Sequence, residues 1–327
     1  MTSGRRVVSL LPSATEIVAA MGHGAELVGR SHECDFPPEV VDLPAVSRPR
    51  REPVGASRDI HRGVVDLLER VMSIYEVDAA ALRAADPDLI ITQDLCRVCA
   101  VAEEEVVQAA RAYLGAGVEV LTSSPMTLDE VFADVLRIGE ALDDGPAAER
   151  LVARMRTELD EVAATVAGLG RPRLLLLEWT DPLIAAGHWT PELVEHASAR
   201  PVLGTRGGSS PIVTPEVLRD TDPDVILVAP CGYDLARAVE DGDVLSAVDG
   251  WDDLSAVRSG RVGFADGSAY FNRPGPRLVT SAAIVAALTH GVGPAMHLQG
   301  RAWQRWDLPG AGGRGEAGRG PGGIGGR

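Results

Sequence analysis

"LRAADPDLIITQDLC", residues 82–96, and "LRDTDPDVILVAPC", residues 218–231, decide the fold. Both read Leu-Arg-x-x-Asp-Pro-Asp, then an apolar run, then a cysteine. Proline fixes its own φ and restricts the residue before it, so each Asp-Pro-Asp is a turn that feeds a buried strand. Two further apolar runs, "RRVVSLL" at 5–11 and "RPRLLLL" at 171–177, open the two halves of the chain. A chain of 327 residues is longer than one compact core usually holds. The repeat therefore predicts two lobes of similar design.

Around these anchors, strand-like and helix-like segments alternate, which is the signature of α/β layers. Strands are expected at Val7–Leu11, Leu27–Arg30, Leu89–Thr92, Leu174–Leu177, Ile226–Ala229 and Val262–Ala265. Helices are expected at about 13–21, 59–72, 100–114 and 276–290. The first should open on a capping box, because Ser13 and Glu16 have the required spacing. Leu128, Val131, Val135, Ile138 and Leu142 recur at helical spacing, Asp143 to Pro146 breaks the run, and a second helix follows over 147–167. The fold class is thus α/β, with Rossmann-like lobes at 5–123 and 170–300 and bridging helices over 124–169. The tail, 301–327, turns Gly-rich after Pro309 and is expected to be disordered.

Hydrophobic content of 45% and a net charge of −16 suit a soluble protein and argue against nucleic-acid binding, which needs a basic face. No apolar run is long enough to span a bilayer. The apolar run in "MTSGRRVVSLLPSATE" stops at Pro12, short of a signal-peptide core, so the chain as written is expected in the cytoplasm with reduced thiols. A start site further upstream would place it outside the cytoplasm. A monomer is expected.

Ligands of open parallel α/β sheets sit beyond the carboxyl ends of the strands. That rule selects the loops 12–15, 31–38, 93–99, 178–189, 230–234 and 266–275. They hold all four cysteines, Cys34, Cys96, Cys99 and Cys231, and six of the thirteen aromatics. The candidate ligand-binding residues are Ser13, His32, Phe36, Asp94, Trp179, Trp189, Tyr233, Tyr270, Asn272 and Arg273. Ser13 offers helix N-terminal N–H groups, the indoles and phenols offer flat faces, and Asn272 and Arg273 offer polar grips. Ser13 has a plainer reading as an N-cap, the two indoles as core caps (a better one for Trp189 than for Trp179), and Asn272 and Arg273 as turn chemistry plus a surface charge.

Cys96 and Cys99 form a Cys-x-x-Cys pair. Redox use is disfavoured, because Glu103, Glu104 and Glu105 crowd the first turn of the next helix and oppose a thiolate. Metal binding would need Cys34, Cys231 or His32 to complete a tetrahedral zinc or iron–sulfur site. Packing of small buried thiols at strand ends is the other reading. No nucleotide-binding glycine motif, nucleophile elbow or general acid–base pair is present, so a binding protein is expected rather than an enzyme.

Four stretches carry a resemblance: "VVSLLPSATEIVAAMGHGAELVGRSHECDFPPEV" (7–40), "DPDLIITQDLCRVCAV" (86–101), "DPDVILVAPCGYD" (222–234) and "YFNRPGPRLV" (270–279). In this order they resemble the substrate-binding proteins of ABC importers for vitamin B12 and iron siderophores, above all the cobalamin-binding members. The resemblance covers about residues 5–295. It implies two lobes joined by a long rigid helix, with cobalamin or another corrinoid held in the cleft and little closure on binding. It also implies docking to an ABC permease through an acidic side chain on each lobe. The four cysteines are not part of the usual pattern of such B12 binders. The alternatives are a cytoplasmic thiolate–metal protein on the same fold, or a binder of another chelate such as a siderophore or haem.

Overall fold

The computed structural model describes residues 4–50, 54–68, 75–93 and 117–306. Asp94, Cys96, Cys99, the expected 100–114 helix and the Gly-rich tail from 307 lie outside the described residues. The strands are β1 (Val7–Ser9), β2 (Leu27–Arg30), β3 (Ser47–Pro49), β4 (Tyr75–Val77), β5 (Leu89–Gln93), β6 (Glu119–Ser123), β7 (Arg173–Thr180), β8 (Leu183–Ala185), β9 (Arg200–Pro201), β10 (Val225–Val228), β11 (Val262–Ala265) and β12 (Trp303–Arg305). The helices are α1 (Pro12–Ala20), α2 (Ser57–Leu68), α3 (Ala79–Ala85), α4 (Leu128–Ala141), α5 (Gly145–Thr165), α6 (Thr190–His196), α7 (Pro215–Thr221), α8 (Leu235–Glu240), α9 (Gly242–Ser246), α10 (Ser255–Arg258) and α11 (Leu278–His290). None of them is long and apolar enough to cross a membrane.

The first sheet has the order β2-β1-β5-β6 and is parallel throughout; the second runs β12-β11-β10-β7-β8, with β9 against β7. The Asp-Pro-Asp repeat builds the same joint in both lobes. In each, the strand after the turn pairs in parallel with the lobe's first strand, Leu89 opposite Val7 and Val225 opposite Leu174. The third residue of the turn locks this register. The Asp88 carboxylate accepts from Arg6 N at 2.9 Å, and the Asp224 carboxylate accepts from Arg173 N at 2.7 Å. The same two arginines reach back to the carbonyls of Asp86 and Asp222, at 2.9 and 3.2 Å. Asp86 and Asp222 end α3 and α7 in the left-handed region, φ 44° and 38°, a conformation that Asp tolerates better than most side chains. The repeat and the arginines at the starts of β1 and β7 are therefore one structural device used twice.

The central strands are buried on both faces, which is why they read as unbroken apolar runs. α11 is buried on nearly every side from Leu278 to Thr289, between the second sheet, α5 and α6. The lobes are bridged by the helix pair α4 and α5. α4 opens on a capping box, with Thr127 and Glu130 satisfying each other's backbone N–H groups. Its first turn is also held by the second lobe. Leu128 N donates to the Glu192 carboxylate at 2.9 Å, and Arg206 pairs with both Glu192 (3.1 Å) and Asp129 (3.0 Å). The tip between α4 and α5 is held by the first lobe, through His23 and Asp144 at 3.2 Å. Each end of the bridge is thus anchored to a different lobe.

Two expectations need correction. The capping box at Ser13 does not form: the helix starts at Pro12 with Leu11 as cap and no side-chain capping bond, because Glu16 is recruited elsewhere. Nor does irregular tail begin at 301. β12 pairs antiparallel with β11, and Trp303 is fully buried with its indole N–H donated to Ala295 O at 2.9 Å. The second lobe therefore extends to at least Trp306.

Candidate functional site

The carboxyl ends of the two sheets meet at an ionic junction centred on Arg273. Gly267 makes the approach possible: its backbone lies so close to Ala229 and Pro230 that any Cβ there would stand 2.1 Å from Pro230 O. The turn it starts carries Tyr270, Phe271, Asn272 and Arg273 towards the first lobe. Arg273 is buried. It donates to Asp35 at 2.5 and 3.1 Å, to Glu16 at 3.3 Å, to Ser268 Oγ at 3.2 Å and to Glu33 O at 3.4 Å. Arg277 adds two bonds to Glu16, at 2.9 and 2.5 Å. A carboxylate inside the first lobe is thus shared by two guanidinium groups of the second.

The charges set the local titration. Burial by itself would raise Asp35, but the hydrogen bond and charge of Arg273 outweigh it and hold the carboxyl below its ordinary range. Burial raises Glu33, and the Tyr75 hydroxyl (2.6 Å) and Arg273 only partly offset this. The Arg277 guanidinium lies 4.4 Å over the Phe36 ring and 5.5 Å from that of Tyr270, so a cation is stacked between rings from different lobes. Phe36 is 41% exposed, large for a phenyl group, and forms the outer face of this stack.

A second aromatic surface ends β7 and β10. The Trp179 and Tyr233 rings are 5.2 Å apart, and the Arg237 guanidinium lies 4.4 Å over Tyr233. Beneath them Asp241, buried, accepts from Thr180 and from Arg237 (2.9 Å). Burial raises the Tyr233 phenol above its ordinary value.

The other sequence candidates hold the fold rather than line an open surface. Ser13 is buried with Gly275 packed on it, a Cβ at 275 standing 3.4 Å from Ser13 O, so it offers no open helix end. Trp189 is 5% exposed and donates to Phe271 O at 3.3 Å, as a core cap does. Asn272 braces its own turn through Gly267 O at 2.8 Å. His32 is half-buried, 3.0 Å from Ser47 Oγ and 4.8 Å from the Tyr75 ring. Cys34 packs in the core under the Arg273 junction, accepts from Thr15 Oγ1 at 3.0 Å, and has its thiol pushed up by burial to about 11. That is the environment of a neutral packed thiol. Cys231, half-buried at the end of β10, donates its N–H to Glu178 O at 3.0 Å. Among the described residues no group of three His, Cys, Asp or Glu side chains is placed to hold a metal ion.

Sequence reasoning missed Glu16, Asp35, Arg277, Arg237 and Asp241. Glu16 left a signal: a lone carboxylate in "PSATEIVAA", a helix otherwise free of charge and buried from Ser13 to Val18. Such a group must be paired.

The periplasmic binding protein family profile matches residues 7–269. An uncharacterized ABC transporter substrate-binding lipoprotein, YvrC, of Bacillus subtilis is 28% identical over 282 residues, 84% of this chain and 76% of that one. The vitamin B12-binding protein of Vibrio parahaemolyticus is 24% identical over 288 residues, 87% of this chain and 88% of that one. A periplasmic heme binding protein from Pseudomonas aeruginosa shares the fold, with a TM-score of 0.66 and 23% identity over 89% of this chain and 95% of that one. The chain belongs to the periplasmic binding protein family. Membership of that family gives no support to a cytoplasmic placement. The family is one of binding proteins.

Proposed function

We propose that this periplasmic binding protein holds a planar metal chelate, a corrinoid foremost, between its lobes outside the cytoplasm and presents it to an ABC permease. The observation that carries the reading is the pair of aromatic–guanidinium stacks at the inter-lobe junction, Phe36–Arg277–Tyr270 and Trp179–Tyr233–Arg237. A corrin is wide, flat and fringed with amides. Apolar ring faces suit its plane, and convergent guanidinium and hydroxyl donors suit its rim. The B12-binding relative supports a corrinoid, and the heme-binding neighbour supports haem as the second reading. A thiolate–metal site is less well supported, because Cys34 sits as a buried neutral thiol bonded to Thr15.

The test is titration of the purified full chain with cyanocobalamin, hemin and a ferric siderophore, followed by absorbance and calorimetry. Saturable one-to-one binding of cyanocobalamin with a perturbed corrin spectrum is expected. Binding of hemin alone would replace the corrinoid with haem, and no heat or spectral change with any of the three would remove the chelate reading.

A further inference from the structure

The Trp179–Tyr233 surface is not simply open. The start of α2, which belongs to the first lobe, lies across it. Ser57 is fully buried; its hydroxyl donates to Asp241 and is 3.2 Å from the Tyr233 hydroxyl. Arg237, stacked on Tyr233, donates to Gly55 O at 3.3 Å and to the Tyr233 hydroxyl at 3.3 Å. Arg58 pairs with Asp181 at 2.8 Å, and the Asp181 carbonyl accepts the Trp179 indole N–H at 3.1 Å. Ile60 packs against the core cluster of the second lobe. Four residues of one lobe, Gly55, Ser57, Arg58 and Ile60, thus make four polar contacts and one apolar contact on the other lobe's aromatic surface.

The chemistry of this contact is that of a catch. Asp241 is 1% exposed, and one of its oxygens takes both the Ser57 and the Thr180 hydroxyls. Thr180 and Arg237 belong to the second lobe and keep Asp241 satisfied by themselves. Withdrawing Ser57 therefore removes one charged hydrogen bond without stranding the carboxylate. The Arg58–Asp181 pair is half in solvent, so it too can part at small cost. A contact made of individually separable polar bonds can open without unfolding either lobe.

We infer that residues 55–60 are a latch that covers the Trp179–Tyr233 surface, and that a planar ligand reaches those rings only after the latch lifts. The last clause rests on the proposed function; the latch itself does not.

The experiment uses the full chain without added ligand. Two variants are compared with wild type: Ser57→Ala/Arg58→Asp, which removes three of the four polar contacts and leaves Arg237 on Gly55 O, and Arg58→Asp/Asp181→Arg, which keeps Ser57 and restores the ion pair with its charges exchanged. Hydrogen–deuterium exchange is read over residues 54–68. Acrylamide quenching of Trp179 is read as the difference from a Trp179→Phe background. Loss of a hydrogen bond to a charged group should speed exchange over 54–68 by about tenfold or more. Quenching of Trp179 should rise with it, and the charge-exchanged pair should bring both back towards wild type. Equal exchange in all three proteins would overturn the latch. Faster exchange with unchanged Trp179 quenching would show that the segment does not cover the surface. In a second arm, hemin and cyanocobalamin are mixed rapidly with each protein. Any probe that binds should associate faster with the opened variant, and equal association rates would overturn the gating role. Failure of both probes to bind counts against the proposed ligand class, while exchange and quenching still decide the latch.

Discussion

Replacing Glu16 by Gln tests the junction between the lobes directly. Glu16 is 2% exposed, and its two oxygens receive three bonds from Arg273 and Arg277. Removing one partner of a buried ionic group costs about 3–5 kcal/mol when the opposite charge is left uncompensated. Here the loss is smaller. Arg273 keeps Asp35 and Ser268, and the Gln carbonyl still accepts one bond. Arg277 would retain chiefly its stacking on Phe36, worth roughly 0.5–1 kcal/mol near the surface. A net loss of about 2–3 kcal/mol follows, which for a chain of this length lowers the melting midpoint by roughly 3–5 °C. The assay is thermal and urea unfolding followed by circular dichroism, run on Glu16→Gln, Arg277→Met and the double variant. Because Arg277→Met removes the cation that Glu16→Gln strands, the double variant should be more stable than the sum of the singles, with a coupling of about 1–2 kcal/mol. A Glu16→Gln midpoint within about 1 °C of wild type, together with strict additivity, would refute the junction as the tie between the lobes.

His23 should make the bridge pH-sensitive. Burial by itself would lower its pKa, but Glu26 and Asp144 together raise it above the ordinary 6.5. The stability it contributes is therefore complete below about pH 6.5 and is lost as pH rises through the higher folded value. His23→Gln should flatten that limb of a stability–pH profile, and an unchanged slope would count against it. Cys34 should react slowly with a disulfide reagent in the native protein at pH 8, since its thiol titrates at about 11, and readily once unfolded; fast native labelling confined to Cys34, located by mass spectrometry, would contradict its burial. Trp303→Ala should cost about 3–5 kcal/mol in urea unfolding, as expected for an indole lost from a closed core. A small effect would mean that β12 is dispensable to the second lobe. Asp224→Ala should cost about 1–2 kcal/mol, because it leaves the N–H of Arg173 without its carboxylate at the register lock; no change in unfolding would show that the turn is held by backbone bonds alone.

The two-lobed α/β plan follows from local sequence. Buried parallel strands need unbroken apolar runs, Asp-Pro-Asp fixes the turn before them, and Arg6 and Arg173 complete the same lock twice. Those constraints act within a few residues or between neighbouring strands, so the chain displays them. The strand-end rule also singled out Phe36, Trp179, Tyr233, Tyr270 and Arg273 as candidates. Which of the strand-end residues face the junction and which brace the fold was settled by tertiary contacts. Ser13 and Trp189 have the same local chemistry as exposed binders, yet Gly275 and Phe271 cover them. Glu16 looked like a cap because its partners, Arg273 and Arg277, lie more than 250 residues away in the chain. Ser57 reached Asp241 for the same reason: a buried carboxylate takes the nearest donors in space, and proximity between lobes is created only when the whole chain has folded.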